Sequence, residues 1–251
     1  MLKVTGMCKS FGALQALNQV DVTVRKGDIH GIIGPNGSGK TTFFNCVTGL
    51  LKADTGAIEL DGLDITSTDP TSISRLGIKR TFQAGKLVPT LTVLENVMAG
   101  INDNVGAASM DTFLRLPFIP SKRETEIELR AREILKLVGM ADAANRWAND
   151  LVWTERQLVQ IARALVSDPK LLLLDEPASG MGLKEMEKVE EIINDIRKKG
   201  ITVVVVSHDV RMLMNLSDKV TVFNFGKKIA EGTPEEIRHD PLVQEAYLGA
   251  E

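Results

Sequence analysis

The segment GPNGSGKT, Gly34 to Thr41, decides the fold of this chain. It fits the pattern G-x-x-x-x-G-K-[ST], and it lies between the short apolar run IHGIIG (29–34) and a stretch with helical period. Glycines allow backbone N–H groups to curl around phosphate oxygens because no Cβ stands in the way. A helix that begins near Gly39 directs its positive end at the anion. The segment therefore predicts a phosphate-binding loop between a buried strand and a helix.

The residues at the end of this loop have chemical uses of their own. Lys40 brings a mobile positive charge to the β- and γ-phosphates of a nucleotide, and Thr41 can offer its hydroxyl to Mg²⁺. The alternative is a glycine-rich turn without a ligand, which the strand–loop–helix setting disfavours. The predicted nucleotide-binding residues of the loop are Gly34, Pro35, Asn36, Gly37, Ser38, Gly39, Lys40, Thr41 and Thr42.

A second motif, LLLLDEP (171–177), places two carboxylates after an apolar run. The carboxyl end of a strand is the edge where α/β sheets bind ligands. Asp175 is placed to hold Mg²⁺, directly or through water, and Glu176 to orient or deprotonate the attacking water. The alternative is an Asp–Glu pair that caps a helix. The phosphate-loop signature upstream favours the catalytic interpretation.

Two weaker motifs also follow predicted strands. SHD (207–209) ends the apolar run ITVVVVSH, and its His208 could hydrogen-bond a γ-phosphate. RTFQ (80–83) contains Gln83, whose amide could contact both Mg²⁺ and the attacking water. Alone, each fits a plain structural role better, His208 as a residue beside a helix cap and Gln83 as a polar strand end.

The bulk properties restrict the class of protein. The chain has 251 residues, 43% apolar and 25% charged, as expected for a globular protein with a sizeable core. Its net charge of −3 gives no basic field that favours nucleic acid as a partner. Two cysteines, Cys8 and Cys46, are too few for a disulfide framework and suit a reducing cytosol.

No apolar stretch predicts a signal peptide or a membrane span. The opening MLKVTGMCKSFG lacks the long apolar segment of a signal peptide. The longest apolar runs, Leu171–Leu174 and Val203–Val206, have four residues each, whereas a spanning helix needs about 20. We therefore expect any membrane role to depend on another chain.

The hydrophobic pattern predicts an α/β fold with an antiparallel N-terminal part. Alternating apolar residues predict N-terminal strands with one solvated face, at Leu2, Val4, Val20, Val22 and Val24. Fully apolar runs followed by helical patterns predict buried parallel strands, at residues 29–34, 171–176 and 201–208.

The middle of the chain changes to helical period and predicts an inserted subdomain. We expect residues 1–91 to hold the antiparallel sheet and the first part of the core, 92–165 the helical subdomain, and 166–251 the rest of the core. Residues 102–120 interrupt the helical block with Gly, Asn and Pro and predict a long loop. Residues 234–248 predict two short helices, each after a proline.

These four motifs, in this order and at these spacings, resemble the nucleotide-binding subunits of ABC transporters over essentially the whole chain. The resemblance implies a P-loop fold, ATP and Mg²⁺ as ligands, and ATP hydrolysis coupled to transport. It makes Glu176, His208 and Gln83 catalytic and implies metal contacts for Thr41, Gln83 and Asp175. It also implies an aromatic residue that stacks on adenine, and Phe11 matches that position. From its residue type alone, Phe11 fits a core position equally well.

More narrowly, the chain resembles the branched-chain amino acid importers of this family. The stretches that carry this resemblance are FGALQALNQV, TGLLKADTG, GIKRTFQ, FLRLPFIP, DEPASGM, IAEGTPEEI and YLGAE. The resemblance implies membrane permease subunits as partners, a position on the cytoplasmic face of the cell membrane, and a dimer of ATP-binding subunits formed on ATP binding. Family members carry several small solutes, so the cargo does not follow from it.

One segment departs from the family pattern. The signature loop, normally close to L-S-G-G-Q, reads LVWTE, with Val152 at the Ser position, Trp153 and Thr154 at the two Gly positions, and Glu155 at the Gln position. In a family dimer this loop caps the γ-phosphate held by the partner's phosphate loop. A missing hydroxyl, a bulky ring and a negative charge all oppose that contact. A further family position, normally Asp or Asn, holds Gly182.

We therefore expect an asymmetric pair of unlike ATP-binding subunits. The site on this chain's own phosphate loop is complete, whereas the site capped by this chain's altered signature loop hydrolyses ATP slowly or not at all. The alternative at the loop is that backbone donors of 152–155 suffice. The alternative function is a catalytically weak nucleotide sensor. A chromosome or DNA-repair ATPase would need coiled coils or zinc modules, and a translation ATPase of this fold two such domains in one chain; neither is seen.

Overall fold

The computed structural model describes residues 1–81, 87–101 and 122–248. The strands are β1 Leu2–Phe11, β2 Leu14–Val24, β3 Ile29–Ile33, β4 Thr55–Leu60, β5 Leu63–Asp64, β6 Ile78–Arg80, β7 Leu171–Asp175, β8 Thr202–Val206, β9 Lys219–Asn224 and β10 Lys227–Gly232. The α-helices are α1 Lys40–Val47, α2 Pro70–Arg75, α3 Val93–Met98, α4 Lys122–Leu137, α5 Trp153–Leu165, α6 Leu183–Lys198, α7 Val210–Leu216, α8 Pro234–Arg238 and α9 Pro241–Leu248.

The chain divides into two compact units. The first unit comprises Met1–Gln83 and Lys170–Glu251, and the second comprises Ala84–Pro169. Both sheets belong to the first unit, while the described residues of the second unit form α3, α4, α5 and short 3₁₀ turns. The predicted fold class is confirmed: an α/β core carries an N-terminal antiparallel sheet and an inserted helical part. The domain boundaries predicted at 91/92 and 165/166 stay a prediction.

The six-stranded sheet of the first unit has the order β10-β9-β3-β8-β7-β6. Its strands from β9 to β6 are parallel, and β10 pairs antiparallel with β9. Every residue of β3, β7 and β8 is buried, which explains their largely apolar sequences. Parallel pairing brings the carboxyl ends of β3, β7 and β8 to one edge, where the phosphate loop, Asp175 and Glu176 follow.

The four-stranded sheet has the order β2-β1-β4-β5 and is antiparallel throughout. Buried and exposed residues alternate along its first two strands, as the apolar pattern of the sequence predicts. A two-residue turn joins β1 to β2, so Phe11 pairs with Leu14 at the tip of the hairpin. This tip carries the predicted adenine-stacking residue.

The second unit is helical in the part that the structure describes. Thr92 caps α3 by accepting from the Glu95 backbone N–H, and the Glu95 carboxylate accepts from Thr92 in return. The isolated bridge between Thr92 and Trp147 joins the start of α3 to the segment before α5. The loop predicted at residues 102–120 lies outside the described residues.

Two short helices follow the last strand, as predicted. Helices α8 and α9 each begin at a proline, where the missing N–H costs no intrahelical bond. Thr233 caps α8 through the Glu236 backbone N–H. Within residues 1–81, 87–101 and 122–248, no helix combines the length and apolar character needed to cross a bilayer.

Candidate functional site

The phosphate loop connects β3 to α1, and close contacts explain two of its glycines. Gly34 has φ 155°, and a Cβ there would lie 2.2 Å from the Phe223 carbonyl oxygen. Gly39, the residue before α1, has φ 105°, and a Cβ there would lie 2.6 Å from the Ala16 carbonyl oxygen. Both positions combine left-handed backbone with backbone crowding. The loop is thus held against the start of β2 and the end of β9, and the fold itself requires glycine at these two positions.

Lys40 lies across this loop. Its ammonium donates to the carbonyl oxygens of Gly34 and Pro35 at 2.7 and 2.9 Å, with a longer contact of 3.4 Å to the Ser38 hydroxyl. Burial lowers the pKa of Lys40, and the nearby carboxylates of Glu176 and Asp175 act in the opposite direction. Two carbonyls therefore hold the ammonium in place, and the weakest of its three contacts is the one that a phosphate oxygen can replace.

Glu176 and His208 form a contact pair at the same sheet edge. The distance between His208 Nδ1 and Glu176 Oε2 is 2.7 Å, and the His208 backbone N–H donates to the same oxygen at 3.3 Å. Glu176 is buried and has φ 51°, an uncommon conformation for a non-glycine residue. The two residues follow the neighbouring strands β7 and β8, in which Asp175 pairs with Val206. The carboxylate is thus fixed by its strained backbone and by the segment after β8.

Asp175 is paired with an arginine that the sequence interpretation did not assign. Arg80 donates to Asp175 Oδ2 at 2.7 Å and to Asn45 Oδ1 at 2.6 Å, and it lies over the Phe44 ring. Both side chains of the ion pair are almost fully buried, at 5% and 2% exposure. The pair compensates the charge of Asp175 and leaves its other carboxylate oxygen for a metal ion or a bridging water.

Arg80→Met is expected to destabilise the protein by about 3 kcal/mol, because it leaves Asp175 buried without its counter-charge. Urea unfolding followed by circular dichroism measures the loss. Lys198→Met is the matched control, since Lys198 pairs with Asp195 at the surface and its loss should cost under about 0.5 kcal/mol. Equal stability of the Arg80→Met variant and the wild type would contradict this account of the pair.

An open cavity of about 430 Å³ lies beside the phosphate loop, Asp175 and Glu176, and neither His208 nor Arg80 is part of its wall. Its wall contains loop residues Asn36 to Thr42, the two carboxylates Asp175 and Glu176, and the aromatic rings of Phe11 and Phe225. Phe11 is 47% exposed, and the Lys9 ammonium lies 5.7 Å from its ring centroid. The exposure favours the ligand-stacking interpretation of Phe11 over a core position. The sequence interpretation missed Phe225.

The predicted metal contacts are only partly described. Thr41 lies in the first turn of α1 and, like Asp175, lines the cavity. One hydroxyl and one carboxylate suit Mg²⁺, which takes most of its oxygen ligands from water and substrate phosphates. In the described ranges no cluster of three or more His, Cys, Asp or Glu side chains could hold a metal by itself. Gln83 lies outside the described residues.

The altered signature loop lies in the second unit, at the start of α5. Val152 and Trp153 are exposed, at 61% and 48%. Both oxygens of Glu155 face Arg146, at 2.7 and 3.1 Å, and one also accepts from the Val152 backbone N–H. This pairing lowers the pKa of Glu155, chiefly through the hydrogen bond from Arg146. From the sequence, Glu155 is expected to place a negative charge near an anion, whereas in the structure Arg146 compensates that charge.

The fold and this site define an ATP-binding cassette. The family model described as "ABC transporter" matches residues 17–179, which include the phosphate loop, Asp175 and Glu176. A second model, "Branched-chain amino acid ATP-binding cassette transporter", matches residues 227–251. The chain therefore belongs to the ABC transporter ATP-binding family, within its branched-chain amino acid group. Like other members, it is an ATPase coupled to transport.

Relatives match along the whole chain. The high-affinity branched-chain amino acid transport ATP-binding protein LivG of Salmonella typhimurium is 37% identical over 99% of this chain and 98% of its own length. The cassette MJ1267 in its ADP conformation is 34% identical, with a TM-score of 0.85 over 99% of this chain and 98% of its own. The cassette MJ0796, dimeric with ADP and phosphate, is 28% identical, with a TM-score of 0.78 over 93% and 99% of the two chains.

Proposed function

We propose that this chain hydrolyses ATP at the cytoplasmic face of a membrane and so powers the import of branched-chain amino acids or related small solutes. The observation that carries the hydrolytic role is the grouping of Lys40, Asp175 and Glu176 around one cavity at the carboxyl edge of a parallel sheet. The cargo class is supported by the relatives' descriptions and by the family match at residues 227–251.

The residues divide the chemistry as follows. The loop N–H groups and Lys40 stabilise charge on the transferring phosphoryl group. Thr41 and Asp175 would hold Mg²⁺, which neutralises charge on the β- and γ-phosphates. Glu176 accepts a proton from the attacking water or orients it, and His208 fixes the Glu176 carboxylate until a γ-phosphate competes for the imidazole. Gln83 is proposed to contact the metal and the water.

Membrane permease subunits and a second ATP-binding subunit are the proposed partners. The dimeric state of the related cassette MJ0796 supports pairing of two ATP-binding subunits. ATP bound between the two subunits favours the closed dimer, and hydrolysis of the ATP allows the dimer to open. The cycle therefore shifts the population between a closed and an open state. The permease turns that shift into transport.

Reconstitution into vesicles tests the proposal. A complex purified through this chain from detergent-solubilised membranes is placed in liposomes with MgATP on the side of the ATP-binding subunits, and leucine uptake is measured. We expect uptake that depends on ATP and stops when the chain carries Glu176→Gln. ATP hydrolysis without uptake of leucine, isoleucine or valine would contradict branched-chain amino acids as the cargo. Absence of ATP hydrolysis by the complex would contradict the proposed hydrolytic role of this chain.

A second candidate, a weakly active subunit in an asymmetric pair, is favoured by the exposed Val152 and Trp153 in the signature loop. Neither side chain offers the hydroxyl or the close backbone approach that the family loop provides. A quadruple variant restores the family pattern (the fourfold variant); it carries Val152→Ser, Trp153→Gly, Thr154→Gly and Glu155→Gln. We expect it to raise the ATPase rate of the isolated chain at least tenfold, as adding an oxyanion-type contact does.

Glu155→Gln alone is the control for that variant. It removes the ion pair with Arg146 but leaves Val152 and Trp153 in place, so little gain in ATPase rate is expected. Steady-state phosphate release measures both variants. An unchanged rate in the fourfold variant would mean that the altered loop does not limit turnover.

A further inference from the structure

A strained aromatic turn lies beside the cavity. Phe225 and Gly226 form the two-residue turn between β9 and β10, since Asn224 pairs with Lys227. Their φ values are 43° and 75°. Such a turn favours Asn, Asp or Gly at its first position, because a bulky side chain is strained at positive φ. Among the described residues, the non-glycine positions with positive φ are Gln19, Asp61, Asp168, Glu176 and Phe225, so Phe225 is the one with an apolar side chain.

The chain itself contains the ordinary version of this turn. Asp61 and Gly62 join β4 to β5 with φ values of 50° and 81°, and the flanking Leu60 pairs with Leu63. The two turns therefore share their loop length and their left-handed φ values. At the turn that does not line the cavity, the first position holds the preferred Asp. At the turn that lines the cavity, it holds Phe225.

Backbone contacts fix the position of the Phe225 turn. The Gly226 backbone N–H donates to the Ser38 carbonyl oxygen of the phosphate loop at 3.1 Å, and its carbonyl accepts from the Asn18 backbone N–H at 2.8 Å. A Cβ at Gly226 would lie 2.8 Å from the Ala16 carbonyl oxygen. The turn is thus clamped between β2 and the phosphate loop, and Phe225 cannot move far from the cavity.

The Phe225 ring is 87% exposed, although it is a large apolar group on a well-fixed turn. In the free protein, the strained backbone of Phe225 and the exposure of its apolar ring both raise the free energy. A ligand that covers the ring offsets these costs. We propose that Phe225 is a specificity-determining residue that contacts the base or ribose end of the bound nucleoside triphosphate, in addition to Phe11. This inference rests on the proposed ATP-binding function.

Phe225→Asn tests the inference, because asparagine suits the turn but cannot stack. The dissociation constant for ATP is expected to rise about tenfold, the size of one lost base–aromatic contact. The dissociation constant for inorganic tripolyphosphate should stay within about twofold, since the phosphate loop is unchanged. The melting temperature of the free protein should rise by about 2 °C as the strain is relieved. Calorimetric titration and thermal melts measure these quantities.

Asp61→Phe is the matched control, since it places the same ring at the first position of the Asp61–Gly62 turn, which does not line the cavity. We expect a lower melting temperature and an unchanged ATP dissociation constant. Equal ATP affinity of Phe225→Asn and the wild type would overturn the inference, as would an equal loss for ATP and tripolyphosphate. Failure of the wild-type chain to bind ATP would instead overturn the proposed function.

Discussion

Glu176→Gln is expected to lower the ATPase rate of the active complex by about 10³-fold while leaving the affinity for MgATP within about threefold. Glutamine keeps the size of the side chain but removes the carboxylate that takes the proton, and a positioned general base contributes about 10²–10⁴-fold. Glu176 is buried and its Oε2 contacts His208. A solvent molecule therefore cannot take over the role of this carboxylate. Single-turnover phosphate release measures the chemical step, and equilibrium titration measures binding.

Glu187→Gln provides the control for that experiment. Glu187 is an exposed carboxylate on α6 of the same unit and does not line the cavity, so its neutralisation should leave both rate and affinity unchanged. A Glu176→Gln complex that hydrolyses ATP within tenfold of the wild-type rate would show that another group activates the water.

Lys40→Ala is expected to raise the dissociation constant for MgATP about 50-fold. The loss follows from removing a charge-assisted contact to phosphate, which is worth about 1.5–3 kcal/mol. The effect should be large because Gly34 and Pro35 already hold the ammonium over the loop, so little ordering accompanies binding. Fluorescence titration with a nucleotide analogue measures it.

Lys52→Ala is the matched control for the lysine variant. Lys52 is exposed in the same unit and is not part of the cavity wall, so its removal should change the affinity by less than about twofold. Thermal melts of both variants separate binding from folding. An Lys40→Ala variant that is folded and binds MgATP normally would contradict the assignment of the loop.

Local motifs explain why much of the site could be predicted from the sequence. The phosphate loop needs glycines where the backbone is left-handed or crowded, and Gly34 and Gly39 meet those conditions. Asp175, Glu176 and His208 follow two apolar runs, and neighbouring parallel strands bring such ends together. The apolar runs alone therefore predict that Asp175 and Glu176 lie near the phosphate loop, whereas the role expected for His208 came from the family resemblance.

Pairings between distant residues explain what the sequence could not predict. Arg80 and Asp175 are 95 positions apart, and only the pairing of β6 with β7 brings them together. The compensation of Glu155 by Arg146 depends on the path of the chain before α5. Phe225 did have a signal, since an apolar residue before Gly between two strands violates turn preference. This signal can be interpreted only once the structure places the turn beside the cavity.

The most direct test of the central claim is the steady-state ATPase rate of the purified chain, alone and mixed with a second ATP-binding subunit whose signature loop is intact. We expect weak activity from the chain alone and strong activity from the mixture, lost when this chain carries Glu176→Gln. Strong activity from the chain alone would contradict the account, because Val152 to Glu155 would then form a working signature loop.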